Sequence, residues 1–192
     1  MWSRLIACAV AAGTLVAIAQ PSHAQILDDR FTGGAPRSKL FTMFGSPIAK
    51  STVSFAGTYS PGTIVINTTE RRLYYVLAGG QAIRYGIGVG RLGFTWAGST
   101  AVSAKKEWPD WTPPSQMLAR RPDLPRHMKG GIENPLGARA MYLGSTLYRI
   151  HGSNEPETIG QAVSSGCFRM TNEDVVDLYA RVTIGTRVVV LR

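Results

Sequence analysis

Cysteine is almost absent from this chain: 192 residues carry two, Cys8 and Cys167. Histidine is nearly as scarce, with three. Structural zinc sites want four ligands, usually in closely spaced pairs, and no such pair exists, so no metal site is expected. Acidic residues are also few. Twelve Asp and Glu stand against 21 Lys and Arg, a formal charge of +9 that suits an anionic partner. The basic residues are scattered, with no run longer than two. With no recognisable RNA- or DNA-binding motif, this argues against nucleic acid.

Long apolar runs are missing too. The longest, Leu5 to Ala19, is too short for a comfortable membrane span. It follows the lone positive charge of Arg4 and precedes Ser22-His23-Ala24, a small-x-small cleavage site. Residues 1–24 therefore read as a secretory signal, with an uncleaved anchor as the alternative. Leu5-Ile6-Ala7-Cys8 looks like a lipoprotein box, but its cysteine sits at the start of the apolar stretch rather than after it.

With the signal removed, Cys167 is the sole cysteine, alongside His127 and His151. One cysteine cannot form an internal disulfide, and a lone exposed thiol in an oxidising compartment needs a reason. A buried apolar cysteine and a reactive one are equally good readings of composition alone.

Residues 25–61 mix Gly, Pro, Ser and Thr and read as a linker or irregular extension. From Thr63 the text is β-rich. Strands are expected over Thr63–Asn67, Arg72–Leu77, Ala82–Val89, Ala138–Leu143, Thr146–Ile150 and Arg187–Leu191. One helix is expected from Asn172 to Val182, capped by Thr171, with Val175, Leu178, Tyr179 and Val182 on its apolar face. The segment from about 96 to 134 carries Trp96, Trp108, Trp111 and many prolines. It is expected to cover a site, with Trp96 as a substrate contact.

Two patterns are decoys. Gly88-Val89-Gly90-Arg91-Leu92-Gly93 fits G-x-G-x-x-G, but Phe94-Thr95-Trp96-Ala97-Gly98 after it is not helical, and pyrophosphate binding needs a helix to begin there. These glycines serve turns and close backbone approach. Asn67-Thr68-Thr69 matches a glycosylation acceptor, a pattern frequent by chance.

The informative text is Ile150-His151-Gly152-Ser153 followed by Ser164-Ser165-Gly166-Cys167-Phe168-Arg169-Met170. A thiol attacks carbonyls as its thiolate, and an imidazole within reach can take its proton. His151 ends an expected strand, sixteen residues before Cys167. The amides of Gly166 and Cys167 suit a developing oxyanion. Arg169 suits a substrate carboxylate or a brace for the loop. Taken singly, a buried cysteine, a loop histidine and a surface arginine explain these residues equally well. The histidine precedes the cysteine, opposite to papain-like proteases, and lies far closer than in caspases.

Order and local text together resemble the L,D-transpeptidase (YkuD-type) catalytic domain, whose His-Gly-x and Ser-x-Gly-Cys-x-Arg elements match His151-Gly152-Ser153 and Ser164 to Arg169. Asn134-Pro135-Leu136-Gly137-Ala138-Arg139 and the Thr171–Leu178 helix also look like the family's text, and the resemblance spans 62–192. It implies a mainly β, β-sandwich-like fold with one or two short helices and a capping loop. It also implies that Cys167 attacks a peptidoglycan tetrapeptide stem at its third residue, commonly diaminopimelate. D-alanine leaves, and an amine acceptor, such as another stem or an outer-membrane lipoprotein, resolves the thioester. His151 is then the base, its ring held by the Gly152 carbonyl. Ser165, Arg169 and Arg139 are candidate substrate contacts. No cofactor is implied, carbapenems are expected inhibitors, and the periplasm is the expected compartment. A carboxypeptidase or amidase that hydrolyses the same thioester is the alternative. A wall-binding module with a vestigial site is the non-enzymatic one.

Overall fold

The computed structural model describes residues 46–192. The expected signal, and the extension up to residue 45, lie outside the described residues. The strands are Ser51–Ser54 (β1), Ile64–Asn67 (β2), Arg72–Val76 (β3), Gln81–Gly86 (β4), Val89–Gly90 (β5), Gly98–Glu107 (β6), Arg139–Leu143 (β7), Arg149–His151 (β8), Ala162–Ser164 (β9), Phe168–Arg169 (β10) and Arg187–Leu191 (β11). Helices α1 (Ser115–Arg120) and α2 (Asn172–Arg181) and a 3-10 turn at Pro156–Thr158 complete the elements.

The fold is mainly β. Nine strands follow the order β1-β4-β3-β2-β11-β6-β7-β8-β10, and β5 pairs with β9 in a separate two-stranded ladder. The apolar, β-branched cores of β2 (Ile64-Val65-Ile66) and β11 (Val188-Val189-Val190) put them where both faces are covered, and they pair in parallel. The first part of β6 pairs with β11 and the rest with β7. A register shift between Val102 and Ala104 marks the change of partner, and such a bulge sharpens the local twist. One core draws on both parts of the sheet: Ile64, Ile66, Leu73, Val188 and Val190 from one, Met141, Leu143, Ile150 and Phe168 from the other. Helix α2 closes it with Val175 and Leu178, joined by Val182 just past its end, and the Thr171 hydroxyl caps it by accepting from the Asp174 amide at 3.2 Å.

Several expectations need correcting. Within the supposed irregular extension, Ser51–Ser54 is a strand paired antiparallel with β4. The return strand expected to run to Val89 stops at Gly86, and Val89 then pairs with Ala162. The strand expected from Thr146 begins at Arg149, because Thr146 is held in a turn, its hydroxyl donating to the Leu143 carbonyl at 2.6 Å. The first part of the supposed capping insertion is β6, the longest strand at ten residues. Only Val102 of its residues is buried, so it lacks an apolar period. The segment after β6 carries α1 and is pinned by a bridge between Trp111 and Met128.

An ion cluster ties α2 to the sheet. The Tyr85 hydroxyl donates to Asp177 Oδ2 at 2.5 Å, while Arg181 donates to both Asp177 oxygens at 3.2 and 3.0 Å. The Arg181 hydrogen bonds, with help from Tyr85 and Lys50, hold the Asp177 carboxyl down to about 2. A carboxylate depressed in the folded state stabilises above its unfolded value of about 3.9, and that stability drains away as pH falls towards 2. Asp177→Asn is expected to cost about 1–2 kcal/mol in urea unfolding at pH 7, with the difference from wild type vanishing near pH 2. A cost unchanged between pH 7 and pH 3 would contradict this account.

Candidate active site

Strands β8 and β10 build the site. They pair in parallel, Phe168 beside Ile150 and Arg169 beside His151. Ile150 and Phe168 are buried in the core. Side chains alternate across a strand, so Arg149, His151 and Arg169 project from the opposite face. Carried one residue back, the register sets Cys167 beside Arg149 on that same face. His151 lies one step diagonally along.

His151 is buried, 4% exposed. Its Nδ1 lies 2.5 Å from the Gly152 carbonyl oxygen, an acceptor, so Nδ1 carries the proton and Nε2 keeps its lone pair. Gly152 is itself fixed. A Cβ there would collide with Asn172 Oδ1, and that same oxygen accepts from the Ala138 amide at 2.8 Å. The first residue of α2 therefore sets the backbone that sets the imidazole. Burial pulls His151 down to about 3; the Arg169 guanidinium adds to this, the Gly152 hydrogen bond opposes it, and Arg149 lowers it further. The ring is neutral at physiological pH.

Cys167 keeps part of its surface open. Protein atoms crowd the sulfur nonetheless, and burial pushes the thiol up while Arg149 and Arg169 pull against it. Sγ donates weakly to the Leu147 carbonyl at 3.7 Å. A neutral thiol thus faces the same side as a neutral imidazole, and no preformed ion pair exists. The turn before Cys167 requires Gly166, which has φ +109° and leaves no room for a Cβ against the Tyr148 ring. The Gly166 amide donates to Ser164 Oγ at 3.2 Å, and that hydroxyl donates to the Cys167 carbonyl at 2.6 Å. The amide expected to meet an oxyanion is therefore engaged in this structure by a long bond.

Trp96 stacks on Tyr148 with ring centroids 5.0 Å apart, and leans on Phe168 at 5.8 Å. It belongs to the wall behind Gly166, and its Nε1 is buried without a partner. Arg169 is braced by Glu155, 3.0 Å from Nη1 to Oε2, in a half-buried pair. Arg139 does not join the site. It shares a face with Met141, away from His151, and engages Glu107 at 3.1 Å, the Ala138 carbonyl at 2.8 Å and the Tyr179 ring. Ser165 sits beside Gly166 on the loop. His127 is exposed, near Thr112 and Asp110 in the segment after β6. The glycines of the dinucleotide-like pattern make close approaches. A Cβ on Gly90 would strike the Phe94 carbonyl and come 3.1 Å from Gly166 Cα. Reading by residue gave no role to Asn172, Glu155 or Tyr148, whose partners Ala138, Arg169 and Gly166 are distant in sequence, nor to the Ser164 hydroxyl, whose part in shaping the loop shows only in the folded turn.

An imidazole of fixed tautomer on the same sheet face as a partly open thiol is the equipment of nucleophilic acyl transfer. Residues 61–190 match the YkuD family model, the L,D-transpeptidase catalytic domain, and the chain belongs to that family. It is 43% identical over 134 residues to the probable L,D-transpeptidase YbiS of Escherichia coli K12, covering 65% of this chain and 43% of that protein. The chain thus spans less than half the length of this curated relative. A solved structure from Brucella melitensis, described as a probable carnitine operon oxidoreductase, is 51% identical and covers 74% of this chain and 93% of that one, with a TM-score of 0.51. That description differs from the family, and the Gly88–Gly93 segment here opens no helix for a dinucleotide. L,D-transpeptidase 3 from Mycobacterium tuberculosis, solved with a faropenem-derived adduct, shares the fold at 19% identity and a TM-score of 0.56 over 68% of this chain and 60% of that one.

Proposed function

We propose that this protein is an exported, periplasmic peptidoglycan L,D-transpeptidase acting through a thioester on Cys167. The observation that carries the reading is the placement of Cys167 and the Gly152-anchored His151 on one face of β8 and β10, in a chain of this family.

As the sulfur attacks the carbonyl of the third residue of a tetrapeptide stem, His151 Nε2 takes the thiol proton and a C–S bond forms. The Cys167 amide, joined by the Gly166 amide once it releases Ser164 Oγ, donates to the oxyanion; one such donor is typically worth about 3 kcal/mol of barrier. The tetrahedral species collapses, the C–N bond to D-alanine breaks, and the imidazolium proton goes to the departing amine. An acceptor amine then attacks the thioester, and His151 relays the proton back to sulfur. Arg169 reaches a substrate carboxylate only by sharing its charge with Glu155, so bracing the loop is its first duty.

The test incubates the protein with a diaminopimelyl tetrapeptide, with and without an acceptor amine. Intact-mass analysis should find an adduct on Cys167 equal to the stem less D-alanine. Cross-linked product should exceed trimmed product when acceptor is present. Trimmed product alone would make the enzyme a carboxypeptidase. No adduct on folded protein would return the chain to a wall-binding role.

A further inference from the structure

Arg149 is a cation beside the proposed nucleophile to which no role has been given. It stands beside Cys167 when the β8–β10 register is carried one residue back, and its charge pulls against the burial that pushes the thiol up. Its Nη1 donates at 3.0 Å to the Leu147 carbonyl, the same oxygen that the Cys167 thiol reaches at 3.7 Å. Its guanidinium lies over the Tyr142 ring, 5.0 Å from the centroid, so the cation is held in place by stacking rather than by a carboxylate. Among the described residues no acidic group pairs with it, and its Nε is buried without a partner. The other nearby cation, Arg169, is braced by Glu155 and acts more on His151, whereas Arg149 is the charge that acts most on Cys167.

We infer that Arg149 is a catalytic residue, a fixed and uncompensated cation that stabilises the Cys167 thiolate as His151 withdraws its proton. The inference deepens the acyl-transfer reading and rests on it for the identity of the nucleophile. In the step, the S–H bond breaks, the electron pair stays on sulfur and the proton moves to His151 Nε2. Arg149 neither gains nor loses a proton. The need for such a cation is physical. Transfer from a neutral thiol to a buried neutral imidazole creates two charges in a poorly solvated place, and burial penalises both. Arg149 offsets the cost on the sulfur side, where its Nη1 and the Cys167 thiol share the Leu147 carbonyl oxygen. The groups facing Cys167 are then Arg149 and His151 from β8, Arg169 with its Glu155 partner, and the Tyr148 ring against Gly166.

The experiment measures the rate of Cys167 alkylation by iodoacetamide against pH in the full chain, by peptide mass after digestion so that Cys8 is read separately, for wild type, Arg149→Met and Arg149→Lys. Methionine keeps an apolar stem over Tyr142 and removes the charge. The apparent thiol pKa in Arg149→Met is expected to rise by about one unit, lowering alkylation at neutral pH about tenfold. Arg149→Lys is expected to recover more than half of that shift. A purely structural role would lower the melting temperature without moving the profile. If Arg149→Met fails to fold, Arg149→Lys against wild type decides: a profile within about threefold of wild type supports the inference. A methionine profile that overlays wild type, or a lysine profile displaced about tenfold, would overturn it. Alkylation needs no peptide, so failure of the stem-peptide reaction is read separately.

Discussion

Replacing Cys167 with alanine is expected to remove stem-peptide acylation altogether and to lower transfer by about four to six orders of magnitude, the range seen when a nucleophile is deleted from an acyl-transfer site. The protein should stay folded. The side chain is small and partly open, and its hydrogen bond to the Leu147 carbonyl is long at 3.7 Å. The bonds that shape the loop, from the Gly166 amide to Ser164 and from Ser164 to the Cys167 carbonyl, use only backbone atoms of residue 167 and survive the change. Unfolding free energy should therefore move by no more than about 1 kcal/mol. Carbapenem treatment gives a second readout: a covalent mass shift in wild type and none in Cys167→Ala. Residual transfer within about tenfold of wild type would place the nucleophile elsewhere.

His151→Gln is expected to lower acylation about 10²–10⁴-fold, the usual contribution of a positioned general base. Glutamine can still donate to the Gly152 carbonyl, so the loss reads as loss of the lone pair rather than of the fold. His127→Ala, on the exposed segment after β6, should stay within about twofold of wild type. Equal losses in the two variants would refute the assignment of the base. The pH profile carries a further expectation. With His151 held down to about 3 and the thiol pushed up, the neutral pair persists across physiological pH. Wild-type acylation should hardly change between about pH 5 and 7 rather than fall through the ordinary histidine value of about 6.5. Stability has its own sign. Below about 6.5 the unfolded chain binds a proton that the buried ring refuses, so His151 makes the protein less stable as pH falls towards 3.

Those parts of the fold were legible where local pattern and burial agree. Ile64-Val65-Ile66 and Val188-Val189-Val190 are β-branched runs, and they form strands covered on both faces. Thr171 caps a helix whose Val175 and Leu178 are buried, as its spacing implies. Strand β6 was not legible, because its residues are mostly small or charged and its pairing is set by β11 and β7. Lys105 illustrates the reason. A charge inside a strand argues for solvent, yet here it donates to the Tyr179 and Val182 carbonyls and lies over the Tyr179 ring, finishing α2. At the site, chain order and the Gly-Cys-x-Arg text placed His151 and Cys167 in the argument, and the strand register puts them on one face. The remaining partners were hidden by distance along the chain. Glu155 meets Arg169 across fourteen residues, and Asn172 Oδ1 reaches Ala138 across thirty-four. Neither separation leaves a periodic mark. Alternation along β7 turns Arg139 to the face opposite His151, where it engages Glu107, a placement that its charge alone does not reveal.

The position of β11 has a consequence for the order in which this protein can assemble. It is formed late in the chain, yet it lies between β2 and β6, joining the two parts of the ladder. Until Val188, Val189 and Val190 are seated, the β1–β4 side and the β6–β10 side have no strand in common, so a nascent or translocating polypeptide holds two open β-edges apart. Such distant closure slows folding and favours a chain that stays unstructured until the whole domain is available. For an exported chain, as proposed above, that delay would be an advantage, since the loop that carries Cys167 becomes rigid only after passage is complete.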